Sequence, residues 1–349
     1  MRNALRTPAL AATLAAASVA LAGVAATAVA ASAPAKVRPL IGNVLVAPYV
    51  DMGLWPTANL SAMSRATRIG AFTAAFIVEQ TTKPCTPAWG GYADYAVGGS
   101  GDFLPIITRF QKSGGTVIPS FGGAAGSELA ENCTSESALL DAYASVVDRF
   151  SVSRVDFDIE GASVANSDAN QRRARVVAQL QKRQADKGRP LAVSLTLPVM
   201  PSGLDANGLR TLKEFAAAGV DLAAVNVMAM DYGDSFTSMG TSAISAAKRT
   251  AAQMKRIPAF ARLTTAQRLA RVGITPMIGQ NDVASEVFTV ANAQSVAAFA
   301  RASGVGMIAW WEMTRDRPCG GAVSGLSLCS GVDEPQWTYA TTFVSALRG

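Results

Sequence analysis

Val155-Asp156-Phe157-Asp158-Ile159-Glu160 alternates apolar and acidic side chains without a break. That period of two is the pattern of a β-strand, whose successive side chains point to opposite faces. Val155, Phe157 and Ile159 therefore share one face, and Asp156, Asp158 and Glu160 share the other. Alternate residues on a strand lie about 6.6 Å apart along the chain, so three carboxyls in one column repel each other unless some are protonated or hydrogen-bonded. The solvated face of an antiparallel sheet would show the same alternation. The neighbouring runs argue against it. Val117–Gly123, Leu191–Leu197 and Ala224–Met230 are almost continuously apolar, as strands covered on both faces of a parallel sheet are. Carboxylates inside such a sheet are costly and mark function.

Working outward, strands alternate with helical stretches. Leu40–Pro48, Ala71–Glu79, Thr116–Ser120, Val155–Glu160, Leu191–Leu197, Leu222–Met230, Gly273–Ile278 and Val305–Trp311 read as strands. Between them, Phe103–Lys112, Glu136–Phe150, Asp168–Lys187, Gly208–Ala218 and Ala293–Ala302 carry helical periodicity, as does Ser242–Val272 with a break near Pro258. Thr338–Leu347 is a closing helix, and the segment holding Cys85, Trp89, Tyr92 and Tyr95 reads as a loop. Eight β-α units predict a single-domain α/β protein with a (β/α)8 TIM barrel. A doubly wound open sheet is the alternative, but no G-x-G-x-x-G follows any strand.

Half of the 349 residues are hydrophobic and only 16% are charged, which supplies a large core. The first thirty residues read as a signal peptide, with Arg2 and Arg6 ahead of an apolar run from Ala9 to Ala26. Ala28-Val29-Ala30 fits a cleavage site, and Ala31-Ser32-Ala33 is a second candidate. A retained anchor is the competing reading of that run; no other segment is long and apolar enough to span a bilayer. Export, with no membrane attachment after cleavage, is the expectation. It suits four cysteines in polar loops, for which three pairings exist; Cys319–Cys329 is favoured as a local clip and Cys85–Cys133 as a link between loops. Net charge is +6, or about +4 once Arg2 and Arg6 are removed. Arg172, Arg173, Arg175, Lys182 and Arg183 are spread along a helix and read as a solvated face rather than a nucleic-acid groove. The chain contains no histidine. Ser-His-Asp and Cys-His hydrolases and His-ligated zinc sites are thereby excluded. No metal and no cofactor are expected, and a monomer is the default.

In a barrel the site lies at the C-terminal ends of the strands. Tyr49, Glu79, Ser120, Glu160, Met230, Asp231, Tyr232, Gln280, Asn281, Asp282, Trp310 and Trp311 fall there. Aromatic faces for sugar rings and carboxyls for proton transfer suit a carbohydrate substrate. Asp156-Phe157-Asp158-Ile159-Glu160 resembles the D-x-D-x-E signature of family 18 glycoside hydrolases, the chitinases and their relatives. Ser120-Phe121-Gly122-Gly123 is similar to that family's S-x-G-G motif, Met228-Ala229-Met230-Asp231-Tyr232 to its sixth-strand motif, and Trp311 to its eighth-strand tryptophan. The resemblance covers Val37 to the C-terminus and implies a catalytic domain over residues 37–349, closest to the compact bacterial and archaeal type. Two places depart from the family pattern. Ser153 and Arg154 stand where it usually has Asp-Gly, and Met230 stands where M-x-Y-D has tyrosine.

The resemblance implies a secreted enzyme that cleaves β-1,4 bonds in chitin or N-acetylglucosamine oligosaccharides by a retaining, substrate-assisted route. Glu160 would be the general acid, Asp158 would stabilise the substrate acetamido group and Asp156 would share a proton with Asp158. Asp231, Tyr232, Met230, Trp311, Tyr49, Ser120 and Gln280 would contact or shape the substrate. An endo-β-N-acetylglucosaminidase on N-glycan cores and a non-catalytic chitin-binding lectin are the two rivals.

Overall fold

β-Branched and aromatic runs capped by Gly- and Ser-rich turns produce eight consecutive parallel strands in the computed structural model, which describes residues 39–233, 236, 238–320 and 325–349. The expected signal peptide lies outside the described residues. In chain order the barrel strands are Val44–Val46 continued by Tyr49–Asp51, then Ala71–Gln80, Thr116–Gly122, Arg154–Asp158, Ala192–Pro198, Leu222–Met228, Val272–Thr275 and Met307–Ile308. Each pairs in parallel with the next. The first strand closes the ring: the Ala47 amide donates to Ile308 O at 3.0 Å and the Thr73 amide to Pro48 O at 2.9 Å. Helices return the chain outside, among them Leu104–Lys112, Glu136–Phe150, Ser167–Asp186, Ala206–Ala217, Met239–Met254, Val290–Ser303 and Thr338–Arg348. The α/β, (β/α)8 expectation is met.

Two cores result. Large side chains fill the space between sheet and helices; Phe157 stacks on Phe121 at 5.1 Å, with Tyr143 edge-on. Inside the ring Leu45, Ile118 and Met307 are interspersed with small or hydroxylic residues, among them Ala47, Ala71, Ala75, Ala224, Thr73, Ser194 and Thr196, all buried. Small interior residues leave room for a polar network along the axis.

Both expected disulfides are present, Cys85–Cys133 across 48 residues and Cys319–Cys329 across 10. Other local expectations are corrected. Leu40–Pro48 is not one strand: Leu40–Ile41 folds back antiparallel on Val44–Val46. The segment read as a loop around Cys85 is the strand Lys83–Trp89, antiparallel to the second barrel strand. Pro84 and Pro87 disguise it, and proline is tolerated there because the strand lies at an edge. The helix Leu60–Thr67 went unread, and the eighth strand is shorter than Val305–Trp311. Among the described residues no helix is long and apolar enough to cross a membrane.

Candidate active site

The fourth strand carries its two faces as the alternation requires. Val155, Phe157 and Ile159 are fully buried against the helices. Asp156 and Asp158 point the other way, into the ring, and are also buried. Glu160 follows the strand and sits at the N-terminal cap of the short helix Gly161–Ala165, half-exposed. That helix is tied down through Ser163, which donates to Glu131.

Close backbone approach shapes the floor. A Cβ on Gly122 (φ 104°) would stand 2.0 Å from Asp158 O, and one on Gly123 (φ 91°) 2.5 Å from the Phe76 ring. Only glycine fits either position, which gives the Ser-x-Gly-Gly sequence a steric cause.

The environments of the three carboxyls differ. Asp156 accepts hydrogen bonds from Ser120 Oγ (2.7 Å) and Tyr49 Oη (2.9 Å) on Oδ2, and from Thr196 Oγ1 (2.8 Å) on Oδ1. A relay backs this: Thr275 Oγ1 donates to Asn226 Oδ1 at 2.8 Å, and Asn226 Nδ2 to Thr196 Oγ1 at 3.0 Å. Burial pushes Asp156 up to about 6, and the three hydroxyls oppose that rise. Asp158 Oδ1 has no hydrogen-bond partner among the described residues. Burial, then the charges of Glu160 and Asp156, raise its carboxyl well above the usual range. Glu160 is raised to about 7, by burial first and by Asp231 second. Asp231 holds a left-handed backbone (φ 50°) and accepts the Val283 amide at 3.1 Å; burial raises it too.

Two adjoining cavities meet at Glu160. One, of about 200 Å³, is lined by Tyr49, Phe76, Asp158, Glu160, Asp231 and Trp311, among others. Trp311 stacks on Phe76 with centroids 5.5 Å apart and planes 10° from parallel. The other, of about 320 Å³, is lined by Glu160, Pro198, Val199, Met200, Asp205 and Asp231, and Met228 and Met230 line both. An acid raised toward neutrality, an unpartnered buried carboxyl and an aromatic wall within one cleft can bind a sugar ring and protonate its leaving oxygen.

The structure gathers Asp156, Asp158, Glu160, Tyr49, Ser120, Met230, Asp231 and Trp311 at this cleft. It does not bring Gln280 or Tyr232 to its walls. Gln280 Nε2 lies within hydrogen-bond distance of the carbonyls of Asn281, Val283, Ala284 and Glu286, so it braces its own loop. Tyr232 is buried beside Phe236. Glu79 also turns away, accepting from the Cys85 amide and Asn132 Nδ2, each at 2.8 Å, and Trp310 stacks on Phe343 in the outer core. Asp282, read at a strand end, does line the smaller cavity, and residues not singled out from the sequence are Phe76, Thr196, Asn226, Thr275, Met277 and Asp205. A polar residue at an inward position of an apolar strand was the available signal for Thr196 and Asn226. Among the described residues no group of three or more His, Cys, Asp or Glu could hold a metal ion.

Comparison with known proteins agrees with this geometry. The family described as glycosyl hydrolases family 18 matches residues 73–277. A probable bifunctional chitinase/lysozyme of Escherichia coli (strain K12) is 34% identical over 289 residues, 78% of this chain and 31% of that protein. Endochitinase 11 of Metarhizium anisopliae is 34% identical over 284 residues, 78% of this chain and 52% of that one. This chain thus spans about a third and about half of those two relatives. The crystal structure of active domain 2 of a chitinase from Pyrococcus furiosus, a catalytic-site mutant, superposes with a TM-score of 0.77 at 29% identity, covering 88% of this chain and 96% of that one. A related structure of that domain is complexed with chito-oligosaccharides. With its cleft, its strand order and its matched residues in agreement, this chain belongs to glycosyl hydrolase family 18.

Proposed function

We propose that this protein is an exported chitinase that hydrolyses β-1,4 bonds between N-acetylglucosamine units, with retention and with the substrate's acetamido group as nucleophile. Residues 1–30 would direct export, and residues 37–349 would form the catalytic domain. The observation that carries the reading is the contrast along the carboxyl column. Asp156 is saturated by three hydroxyl donors, Asp158 Oδ1 is unpartnered, and Glu160 stands at the junction of two cavities. The chito-oligosaccharide complex of the Pyrococcus domain supports the substrate class.

In this scheme Glu160 gives its proton to the glycosidic oxygen, which leaves as an alcohol. The acetamido oxygen attacks the anomeric carbon and forms an oxazolinium ion. Asp158 accepts a hydrogen bond from the acetamido N–H and offsets the positive charge, while Asp156, in its hydroxyl cage, keeps the one proton that the pair shares. The Glu160 carboxylate then takes a proton from water, whose oxygen adds to the anomeric carbon and opens the ring. Trp311 and Tyr49 enclose the reacting sugar, Met230 and Asp231 border its leaving side, and Ser120 acts through Asp156.

A substrate panel tests the proposal. N-acetylated chito-oligosaccharides should be cleaved, the fully deacetylated oligomers should not, and an N-glycan core should be left intact. Cleavage of the glycan core alone would make the protein an endo-β-N-acetylglucosaminidase. Binding of chito-oligosaccharide without turnover would make it a lectin.

A further inference from the structure

Glu286 is fully buried and lies outside both cavities. Its Oε1 accepts the Gly233 amide at 2.7 Å, and the amides of Asp231 and Tyr232 face the same carboxyl. Asp231 and Gly233 both have positive φ, 50° and 109°. Successive amides brought to one point by left-handed backbone form a concave anion site; here Glu286 fills it through Oε1, the amides opposing the rise that burial imposes on its carboxyl, while Oε2 has no partner among the described residues. The exchange is reciprocal, because Asp231 Oδ1 accepts the Val283 amide at 3.1 Å. Val283 and Glu286 belong to one turn, closed by the Glu286 amide on Val283 O at 2.9 Å and the Asn281 amide on Glu286 O at 3.0 Å. Two loops, after the sixth and seventh strands, are thus clasped by one carboxylate from each.

The residue at the far end of this clasp is Asp231, which lines both cavities together with Glu160. A non-glycine residue in left-handed backbone is held there by its surroundings rather than by preference. We infer that Glu286 is a positioning residue for the acid: its carboxylate fixes the Asp231–Gly233 turn and thereby keeps the Asp231 carboxylate against Glu160. This rests on the reading of Glu160 as the general acid.

Among the described residues the charges around the pair are these. Glu160 faces Asp158 from the fourth strand and Asp231 from the sixth-strand loop, and Asp205 and Asp282 line the same cavities. Asp231 faces Asp282, Glu286 and Arg315. Loosening the clasp should let Asp231 withdraw, and Glu160 should then ionise more easily.

The test combines the pH profile of kcat/KM on chito-oligosaccharide with carbon-13 NMR titration of the Glu160 carboxyl without substrate. In Glu286→Gln both should move down by about 0.5–1 pH unit. Glu286→Asp should restore part of the shift. In an Asp231→Asn background Glu286→Gln should add nothing, since the group through which it acts is gone. A loss of folded protein lowers the whole profile and leaves its limbs in place, so it does not imitate this result. An unmoved Glu160 in Glu286→Gln, or an equal further shift in the Asp231→Asn background, overturns the inference. If Glu160 titrates as expected and the wild type cleaves no chito-oligosaccharide, the clasp stands and the reading of the function falls.

Discussion

The two cavities that meet at Glu160 are built differently. The smaller one has Tyr49, Phe76 and Trp311 around an unpartnered Asp158. The larger one has Pro198, Val199 and Met200, an acidic rim at Asp205 and, among the described residues, no aromatic ring. Flat rings and a polar group held without a partner suit one sugar in one orientation. Aliphatic contacts without a ring hold a sugar more loosely. Under the proposed function, the smaller cavity would position one sugar tightly and the larger would hold the other side of the bond more loosely.

Removing the shared acid abolishes the distinction. Glu160→Gln should lower kcat by about 10²–10⁴-fold, read as initial rates on chito-oligosaccharides, while binding persists. Trp311→Ala tests the aromatic side alone. A buried large side chain contributes about 1.5–3 kcal/mol, so kcat/KM should fall about 10–100-fold, with the ring's contact to Phe76 lost as well. The pH profile sharpens the account of the column. Glu160, raised to about 7, must keep its proton, so kcat/KM should fall about tenfold per unit as pH rises beyond about 7. The Asp156–Asp158 pair must keep one charge, and Asp156 is raised to about 6, so activity should also decline as the pair takes up a second proton on lowering the pH through about 6. Met200→Ala on the looser side should cost least, about two- to fivefold in kcat/KM and nothing in the pH limbs. A Met200→Ala loss as large as that of Trp311→Ala would reverse the comparison.

The same contrast runs through what the sequence discloses. Period-two alternation placed Asp156, Asp158 and the path to Glu160, because a strand leaves a side chain only two directions. Ser120 and the glycines after it were legible through their resemblance to the family's S-x-G-G motif, and the close approach of Gly122 to Asp158 O gives their cause. Strand ends were legible as positions but not as directions. Gln280, Tyr232, Glu79 and Trp310 all fall at the mouth in the chain order, yet each turns into a loop brace or a core, which depends on neighbours far away in sequence. The hairpin strand Lys83–Trp89 was hidden by its prolines. Glu286 had no pattern at all, since the amides that it gathers belong to a loop more than fifty residues earlier.

The central claim is that the carboxyl column works on a sugar whose own acetamido group is the nucleophile. Proton NMR of N-acetylated chito-oligosaccharides in the first minutes of hydrolysis reads the anomer formed before mutarotation. The account predicts β-anomer at the new reducing end. Initial α-anomer would mean direct attack by water, and would contradict the roles given to Asp158 and Glu160.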